Sequence, residues 1–349
     1  MLILGIETSC DETSAGVVKD GSQVLSNVIK SQIDIHKAYG GVVPEVAARN
    51  HIEVILTVIN KALTDAKVSW EQIDGIAVTN GPGLMGSLLI GTLTARTLSW
   101  IREKPIYPVH HVLGHIYANW LLPEQPKFPV LALIVSGGHT HLFYLRNHLD
   151  VQLLGRTQDD AVGEAYDKVA KLIGLPYPGG PAIDGIFKLG NPDFLDLPTP
   201  KVPGKYDFSF SGLKTAVLRR AQQLIGKDFR FPSWQIAEKL TQQQVYDIAA
   251  SFQKKAVQIL VDTTKRAFDE FQPGSVIIGG GVACNSYLRD QLQKALPIKL
   301  NYTPIDLCTD NGAMIATLGC FMYQHSSPTD FHHVQTNPSL KINYTSTLE

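Results

Sequence analysis

Apolar and polar residues along the chain fall into runs that match strands and helices. Leu2 to Ile6 is an apolar run suited to a buried strand, the polar stretch Thr8 to Ser14 reads as a turn, and Ala15 to Val18 reads as the returning strand. The chain therefore opens on a β-hairpin. From His51 to Ala66 apolar residues recur at helical spacing, which sets Ile52, Ile55, Leu56, Ile59 and Leu63 on one face. A strand at Ile76 to Val78 leads into the turn Asn80-Gly81-Pro82-Gly83, and Ser87 to Trp100 reads as a buried helix. A short strand around Ile106 and a His-rich helix from His110 to Trp120 end at the proline-rich stretch LLPEQPKFP, which reads as a boundary.

The opening pattern then recurs. Val130 to Val135 is apolar, Ser136-Gly137-Gly138 reads as a turn, and His139 to Leu145 alternates as a returning strand would. Strand, small-residue turn and strand in both halves suggest a duplicated architecture. Helical patterns follow at Val162 to Ile173 and Gln242 to Phe271. Strand Ser275 to Ile278, the turn Gly279-Gly280-Gly281, a helix from Ser286 and a last helix from about Asn311 to Tyr323 complete the pattern. These boundaries predict an N-terminal domain over 1–126, a C-terminal domain over 127–325, and a polar, loosely ordered tail over 326–349.

Composition narrows the class. With 349 residues, 44% hydrophobic and 18% charged, the chain has the apolar content of a globular protein, not of a disordered or fibrous one. Its 31 Lys and Arg nearly balance 32 Asp and Glu, so any nucleic-acid partner has to be recognised by a local site rather than by global charge. The first apolar run is short and meets acidic residues, unlike a signal peptide, and no transmembrane span is legible; a cytoplasmic protein is expected. Cys10, Cys284, Cys308 and Cys320 show no CxxC spacing, which indicates neither a disulfide framework nor a thiolate zinc site.

Three junctions are short on side chains: Gly5 to Ser9 beside Asp11 and Glu12, Ser136 to Gly138, and Gly279 to Gly281. Each is either an ordinary tight turn or a place where backbone N–H groups approach phosphate oxygens. No G-x-x-x-x-G-K-[ST] occurs, which excludes a P-loop. His111 and His115 stand four apart, so a helix would set both imidazoles on one face as metal ligation needs, although surface or core histidines fit as well. Asp310, at the start of the last helix, is either a carboxylate ligand or an N-cap. Val112 stands where H-E-x-x-H chemistry requires Glu, which argues against a metalloprotease. Asp11 and Glu12 could hold a metal, orient a nucleophile or be solvated turn residues, with Glu12 the candidate for an electrostatic or proton-handling role. Of His139 and His141, on one face of a strand, at least one reads as a hydrogen-bonded core or surface residue rather than a ligand. Asp167 and the segment Gly179 to Asp184 sit where a ribose or amino-acid ligand would be gripped, or are a solvated helix carboxylate and a plain loop. Arg219-Arg220 and Lys254-Lys255 are adjacent basic pairs, each either an RNA contact or a solvated helix face.

Nine segments in order, GIETSCDETSAGVV, GGVVPEVAARNHIE, NGPGLMGSLLIGTLTARTLSW, VHHVLGH, LIVSGGHTHL, GEAYDKVAKLIGLPYPGG, YDFSFSGLKTAV, VIIGGGVACNSYLR and CTDNGAMIA, resemble the tRNA threonylcarbamoyl-adenosine transferase family, in its bacterial branch. The resemblance runs from Leu2 to about Gly319. It implies an α/β chain with the duplicated actin-like ATPase fold, two domains around a nucleotide cleft, shared with sugar kinases and heat-shock chaperones. It further implies transfer of a threonylcarbamoyl group from threonylcarbamoyl-AMP to the N6 amine of the adenosine 3′ of the anticodon, in tRNAs reading codons that begin with A. By the motif match, His111, His115 and Asp310 would hold one divalent metal, iron with zinc as the alternative. Ile134, Val135, Ser136, Gly137, Gly138, Asp167, Gly180, Asp184 and Asn285 would line the site for the adenine nucleotide. The implied partners are tRNA, a paralogous TsaB-like subunit and a small TsaE-like ATPase, with an upstream synthase supplying threonylcarbamoyl-AMP and no membrane involved. Two rivals remain, a small-metabolite kinase of the same fold and a non-catalytic, nucleotide-switched scaffold. Against the kinase, Ser136 stands where such kinases carry Asp.

Overall fold

The computed structural model describes residues 1–342, which form two compact units: one of 1–128, 145–152 and 301 onward, the other of 129–144 and 153–300. In the first, β1 (Leu2–Glu7), β2 (Glu12–Lys19) and β3 (Gln23–Ser31) are followed by α1 (Ile33–Lys37), α2 (Pro44–Ala66), β4 (Gly75–Gly81), α3 (Met85–Arg102), β5 (Ile106–His110) and α4 (His111–Tyr117). The sheet order is β3-β2-β1-β4-β5, with β1 antiparallel to β2 and parallel to β4. The hairpin read from the sequence is present, with Glu7 opposite Ser14.

The second sheet, most of whose residues lie in the second unit, is built on β6 (Val130–Val135), β7 (Thr140–Asn147), β8 (Asp150–Arg156), β9 (Ser275–Gly279) and β10 (Leu300–Tyr302), in the order β10-β9-β6-β7-β8. Read from the other edge, this repeats the first sheet: a run of three consecutive strands, then one that returns beside the first of them. The duplication visible in the sequence is therefore a duplication of topology. The helices of this part are α5 (Val162–Leu172), α6 (Gly179–Ile186), α7 (Ser211–Leu224), α8 (Gln242–Phe271) and α9 (Ser286–Ala295). Thr241 caps α8 in a capping box with Gln244, which is why so long an apolar pattern starts cleanly there.

The last segment, α10 (Ile305–Cys308) and α11 (Gly312–His325), differs from the sequence reading. Although α11 falls within the stretch assigned to the second domain, it packs on β1, β2 and β4 of the first unit. Glycine makes this possible: a Cβ on Gly5 or Gly16 would collide with the backbone of α11, and one on Gly319 with Ala77. Gly5 therefore serves helix packing and is not an open phosphate turn.

Two helices also expose more apolar surface than their patterns suggested. Ile55, Ile59 and Leu63 of α2 are buried, whereas Ile52 and Leu56 are each 60% exposed. In α3 the inward face is Ser87, Leu88, Gly91, Thr92, Ala95 and Ser99, and Leu89, Leu93, Trp100 and Ile101 face outward. Each apolar stripe is wider than the sheet beneath it.

The tail is ordered over its described part. Thr329 bridges to Ile106, Phe331 stacks on Trp100, Val334 is buried, and Asn337 N–H donates to the Asn80 carbonyl. Mostly polar in sequence, it docks through the apolar side chains of Phe331 and Val334 and through its backbone. Residues 343–349 lie outside the described residues.

Candidate functional site

In the first unit β5 ends at His110, and α4 begins at once with His111, shorter than the His110 to Trp120 helix read from the sequence. One turn of α4 separates His111 from His115, whose rings meet edge to face at 4.8 Å. Asp310, from the segment just before α11, comes to both: its Oδ1 lies 3.6 Å from His111 Nε2 and 3.1 Å from His115 Nε2. The three ligand atoms fall within 4.8 Å of one another. Asp310 is not the helix cap. Asn311 is, its Oδ1 accepting from Met314 N–H at 2.9 Å.

His115 decides how the group is to be read. It is 1% exposed, yet neither ring nitrogen has a hydrogen-bond partner among the described residues, the approach of Nε2 to Asp310 lacking the alignment of one. A buried imidazole left in that condition is costly unless its lone pair meets a cation. On His111 the other nitrogen, Nδ1, lies 3.2 Å from Glu7 Oε2 and 3.1 Å from Ser9 Oγ. This is the carboxylate-to-imidazole support that fixes a ligating histidine's ring and tautomer. Glu7, wholly buried at the end of β1, also accepts from Ser9 N–H and Thr79 Oγ1.

The electrostatics agree. Burial opposes charge on His111, but Asp310 and Glu7 outweigh it and raise the imidazole to about 9. Burial, then Asp310 and Asp11, push Glu12 up to about 10, and burial followed by Asp11 drives the Cys10 thiol well above its usual value. Carboxylates at 7, 12 and 310 act on one another and on His111, and in the ion-free state His111 and Glu12 hold protons against that negative charge. A divalent cation relieves it better. The 10–12 loop is pinned from outside: His51 Nε2 lies 3.0 Å from the Cys10 carbonyl, Ser87 Oγ donates to that carbonyl, and Ser31 Oγ donates to Glu12.

The second unit assembles the other candidates mostly from backbone. Ile134 and Val135 are buried in β6, and Ser136 N–H closes the next turn onto the His139 carbonyl. A Cβ on Gly137, Gly138, Gly180 or Gly281 would meet nothing within 4 Å, so the protein's own packing does not require those glycines. Beneath them the packing is tight. A Cβ on Gly163 would lie 2.5 Å from the Ser136 carbonyl, and one on Gly280, at φ +87°, 2.5 Å from the Val135 carbonyl. Close packing below and open space above leave an exposed cradle of peptide groups.

Around this cradle Asp167 accepts from Gly179 N–H at 2.7 Å, and burial holds its carboxyl above the usual range. Asp184 accepts from Gln253 Nε2 at 2.9 Å and from Ser286. Asn285 caps α9, its Oδ1 accepting from Leu288 N–H, and donates from Nδ2 to Gln253 Oε1. The buried Gln253 thus ties Asn285 to Asp184. His139 and His141 stack on β7, and burial, then Arg156, lowers His141 to about 4. Glu7, Thr79 and Gln253 escaped the sequence reading; a carboxylate closing an otherwise apolar strand was the available signal for Glu7.

The TsaD family model, described as tRNA N6-adenosine threonylcarbamoyltransferase, matches residues 23–317. The chain belongs to the tRNA N6-adenosine threonylcarbamoyltransferase family. Relatives bearing that name are 50% identical in Thermomicrobium roseum, over 95% of this chain and 94% of the relative, and 51% identical in Staphylococcus epidermidis, over 93% and 92%. Among solved structures the fold is similar to the Acidaminococcus fermentans (R)-2-hydroxyglutaryl-CoA dehydratase component A, with TM-score 0.52 and 15% identity over 93% of this chain and 98% of that one. It is also similar to T. kodakarensis HypF, with TM-score 0.61 and 15% identity over 93% and 48%. These likenesses place the threonylcarbamoyltransferase-family chain in the actin-like ATPase fold. No helix among the described residues is long and apolar enough to cross a membrane.

Proposed function

We propose that the chain transfers a threonylcarbamoyl group from threonylcarbamoyl-AMP to N6 of the adenosine 3′ of the anticodon, in tRNAs reading codons that begin with A, and releases AMP. The observation that carries this is the 50% identity, over 95% of this chain, with a tRNA N6-adenosine threonylcarbamoyltransferase. In the reaction the N6 lone pair attacks the carbamoyl carbonyl carbon, the bond from that carbon to the phosphate oxygen breaks, AMP leaves with the electron pair, and N6 gives up one proton. The donor is already an activated anhydride, so the protein's work is orientation and charge stabilisation.

The Gly137 and Gly138 peptide N–H groups, in the turn that Ser136 opens, suit the adenylate phosphate, and Asp167 and Asp184 suit hydroxyl groups of the ribose. Ile134, Val135, Gly180 and Asn285 shape the rest of that pocket. His111, His115 and Asp310 would hold one divalent ion, iron with zinc as the alternative, and such an ion supplies positive charge for substrate oxygens. Glu12, pushed up to about 10 without the ion, is assigned proton handling. tRNA is the partner that the reaction itself requires. The paralogous subunit, the small ATPase and the upstream synthase complete the proposed set, and the cytoplasm is the proposed compartment. Nucleoside mass spectrometry of tRNA incubated with the chain, threonylcarbamoyl-AMP and these partners tests the reading. Threonylcarbamoyl-adenosine is expected. Phosphorylation of a small metabolite instead, or no turnover at all, would favour the kinase or the scaffold.

A further inference from the structure

The sequence left two adjacent basic pairs open, and the structure separates them. Lys254 is ion-paired with Asp193 and Lys255 bonds to Thr199. A third pair, Lys265-Arg266, is engaged with Asp269 and the Lys205 carbonyl. Arg219 and Arg220 differ. Both project from the exposed face of α7, where among the described residues their side chains bond only neutral groups: Gln222 and the Phe229 carbonyl for Arg219, Gln223 for Arg220. Lys227 and Arg230 follow in the loop after α7, and no carboxylate among the described residues is ion-paired with any of the four. The only acid within 219–234 is Asp228, whose Oδ1 accepts from Arg230 N–H. A chain of net charge −1 thus gathers four cations against one carboxylate in sixteen residues.

Aromatic rings interleave with these cations. The Arg219 and Arg230 guanidinium groups lie 5.8 and 5.5 Å from the centre of the Phe229 ring, and Lys227 lies 5.7 Å from that of Phe231. Phe229 is 64% and Trp234 74% exposed, and Trp234 makes no ring contact among the described residues. So much exposed aromatic surface is not part of a core. The loop is nonetheless held: the buried Gln222 donates to the Phe231 carbonyl at 2.8 Å and to the Phe229 carbonyl at 3.4 Å. Arg219 and Arg220 also line a groove of about 480 Å³ with Asp196, Pro198, Ala216 and Gln223.

We propose that residues 219–234 form the platform on which this chain docks tRNA. The inference rests on the transferase reading and names the surface that reading leaves unassigned. Guanidinium groups without a carboxylate partner, two of them beside an aromatic ring, suit phosphate and stacked bases alike, and an exposed indole suits an unstacked base. The platform lies in the same unit as the nucleotide cradle, since α7 packs on α5, which carries Asp167.

The test is tRNA binding by the full chain, followed by fluorescence anisotropy from low to moderate salt. Arg220→Gln combined with Arg230→Gln should weaken binding about tenfold at low salt and flatten the slope of log affinity against log salt by about two. Trp234→Ala should cost at least about fivefold. Lys254→Gln should bind as the unmodified chain does, and AMP affinity by calorimetry should be unchanged in every variant. Unchanged affinity and slope in the double variant would overturn the platform. So would a double variant that binds tRNA normally yet loses modification when partners are added, since the surface would then serve a protein. Failure of the unmodified chain to modify tRNA with partners present would strike the transferase reading instead, and the binding data would still judge the platform.

Discussion

The two candidate sites are built in opposite ways. In the first unit chemistry rests on side chains: the buried His111 and His115 and the half-buried Asp310, backed by the buried Glu7, are ionisable groups from three distant stretches of chain. In the second it rests on backbone, with glycines whose missing Cβ atoms leave a cradle open. A site of buried charges needs its ion to be electrostatically satisfied, whereas a site of peptide groups is satisfied by geometry and fails when that geometry is filled. Substitutions should therefore break the two sites differently.

The largest effect is expected from His111→Ala with His115→Ala. Metal content by elemental analysis should fall to background, and product formation should drop by roughly a hundredfold or more, in the range for removal of a charge-stabilising group. Full retention of metal would remove the assignment. Glu7→Gln keeps the shape but removes the carboxylate behind His111, and metal affinity in a chelator competition should fall roughly 10- to 100-fold.

The second unit should answer to volume rather than charge. Gly137→Val should cut AMP affinity by about tenfold or more, as an occluded phosphate contact would, and leave Tm unchanged, since its Cβ meets nothing within 4 Å. Gly163→Ala should instead lower Tm. Its Cβ would lie 2.5 Å from the Ser136 carbonyl, and overpacking of that kind costs about 1–3 kcal/mol of stability.

A pH series on metal-free protein sharpens the contrast further. His111 is raised to about 9 from 6.5, and Glu12 to about 10 from 4.5, so the folded state keeps protons that the unfolded state has released. The His111 contribution is fully present below pH 6.5 and is lost as pH rises through about 9, while Glu12 erodes stability from pH 4.5 upward, so Tm should fall with pH. Metal loading should release protons and flatten the fall. A Tm that rises over that interval would contradict the charge balance. The smallest effect is expected at Asn285→Ala, which removes the α9 cap for about 1 kcal/mol, read by chemical denaturation.

Much of this was legible in the sequence because it is periodic or local. The hairpins, the repeated strand and turn, and the four-residue spacing of His111 and His115 follow from short-range pattern. Asp310 was not decidable alone, since ligand and N-cap look alike until Asn311 is seen to take the cap. The place of α11 was hidden for another reason. Its contacts run through Gly5, Gly16, Gly312 and Gly319, and a residue without a side chain leaves no mark in an apolar pattern. The tail escaped because it docks through isolated apolar residues, Phe331 and Val334, and backbone groups such as Asn337 N–H, none of which makes a periodic pattern. For α2 and α3 the pattern marked apolar faces but not how much of each the sheet would cover.

The central claim, that both sites serve one acyl transfer to tRNA, is tested most directly by a single turnover. Threonylcarbamoyl-AMP and tRNA are mixed with the chain and its partners, and AMP and modified adenosine are counted together. One AMP released for each threonylcarbamoyl-adenosine formed is the predicted result. AMP release without modified nucleoside, or the same yield from the His111→Ala, His115→Ala protein, would contradict it.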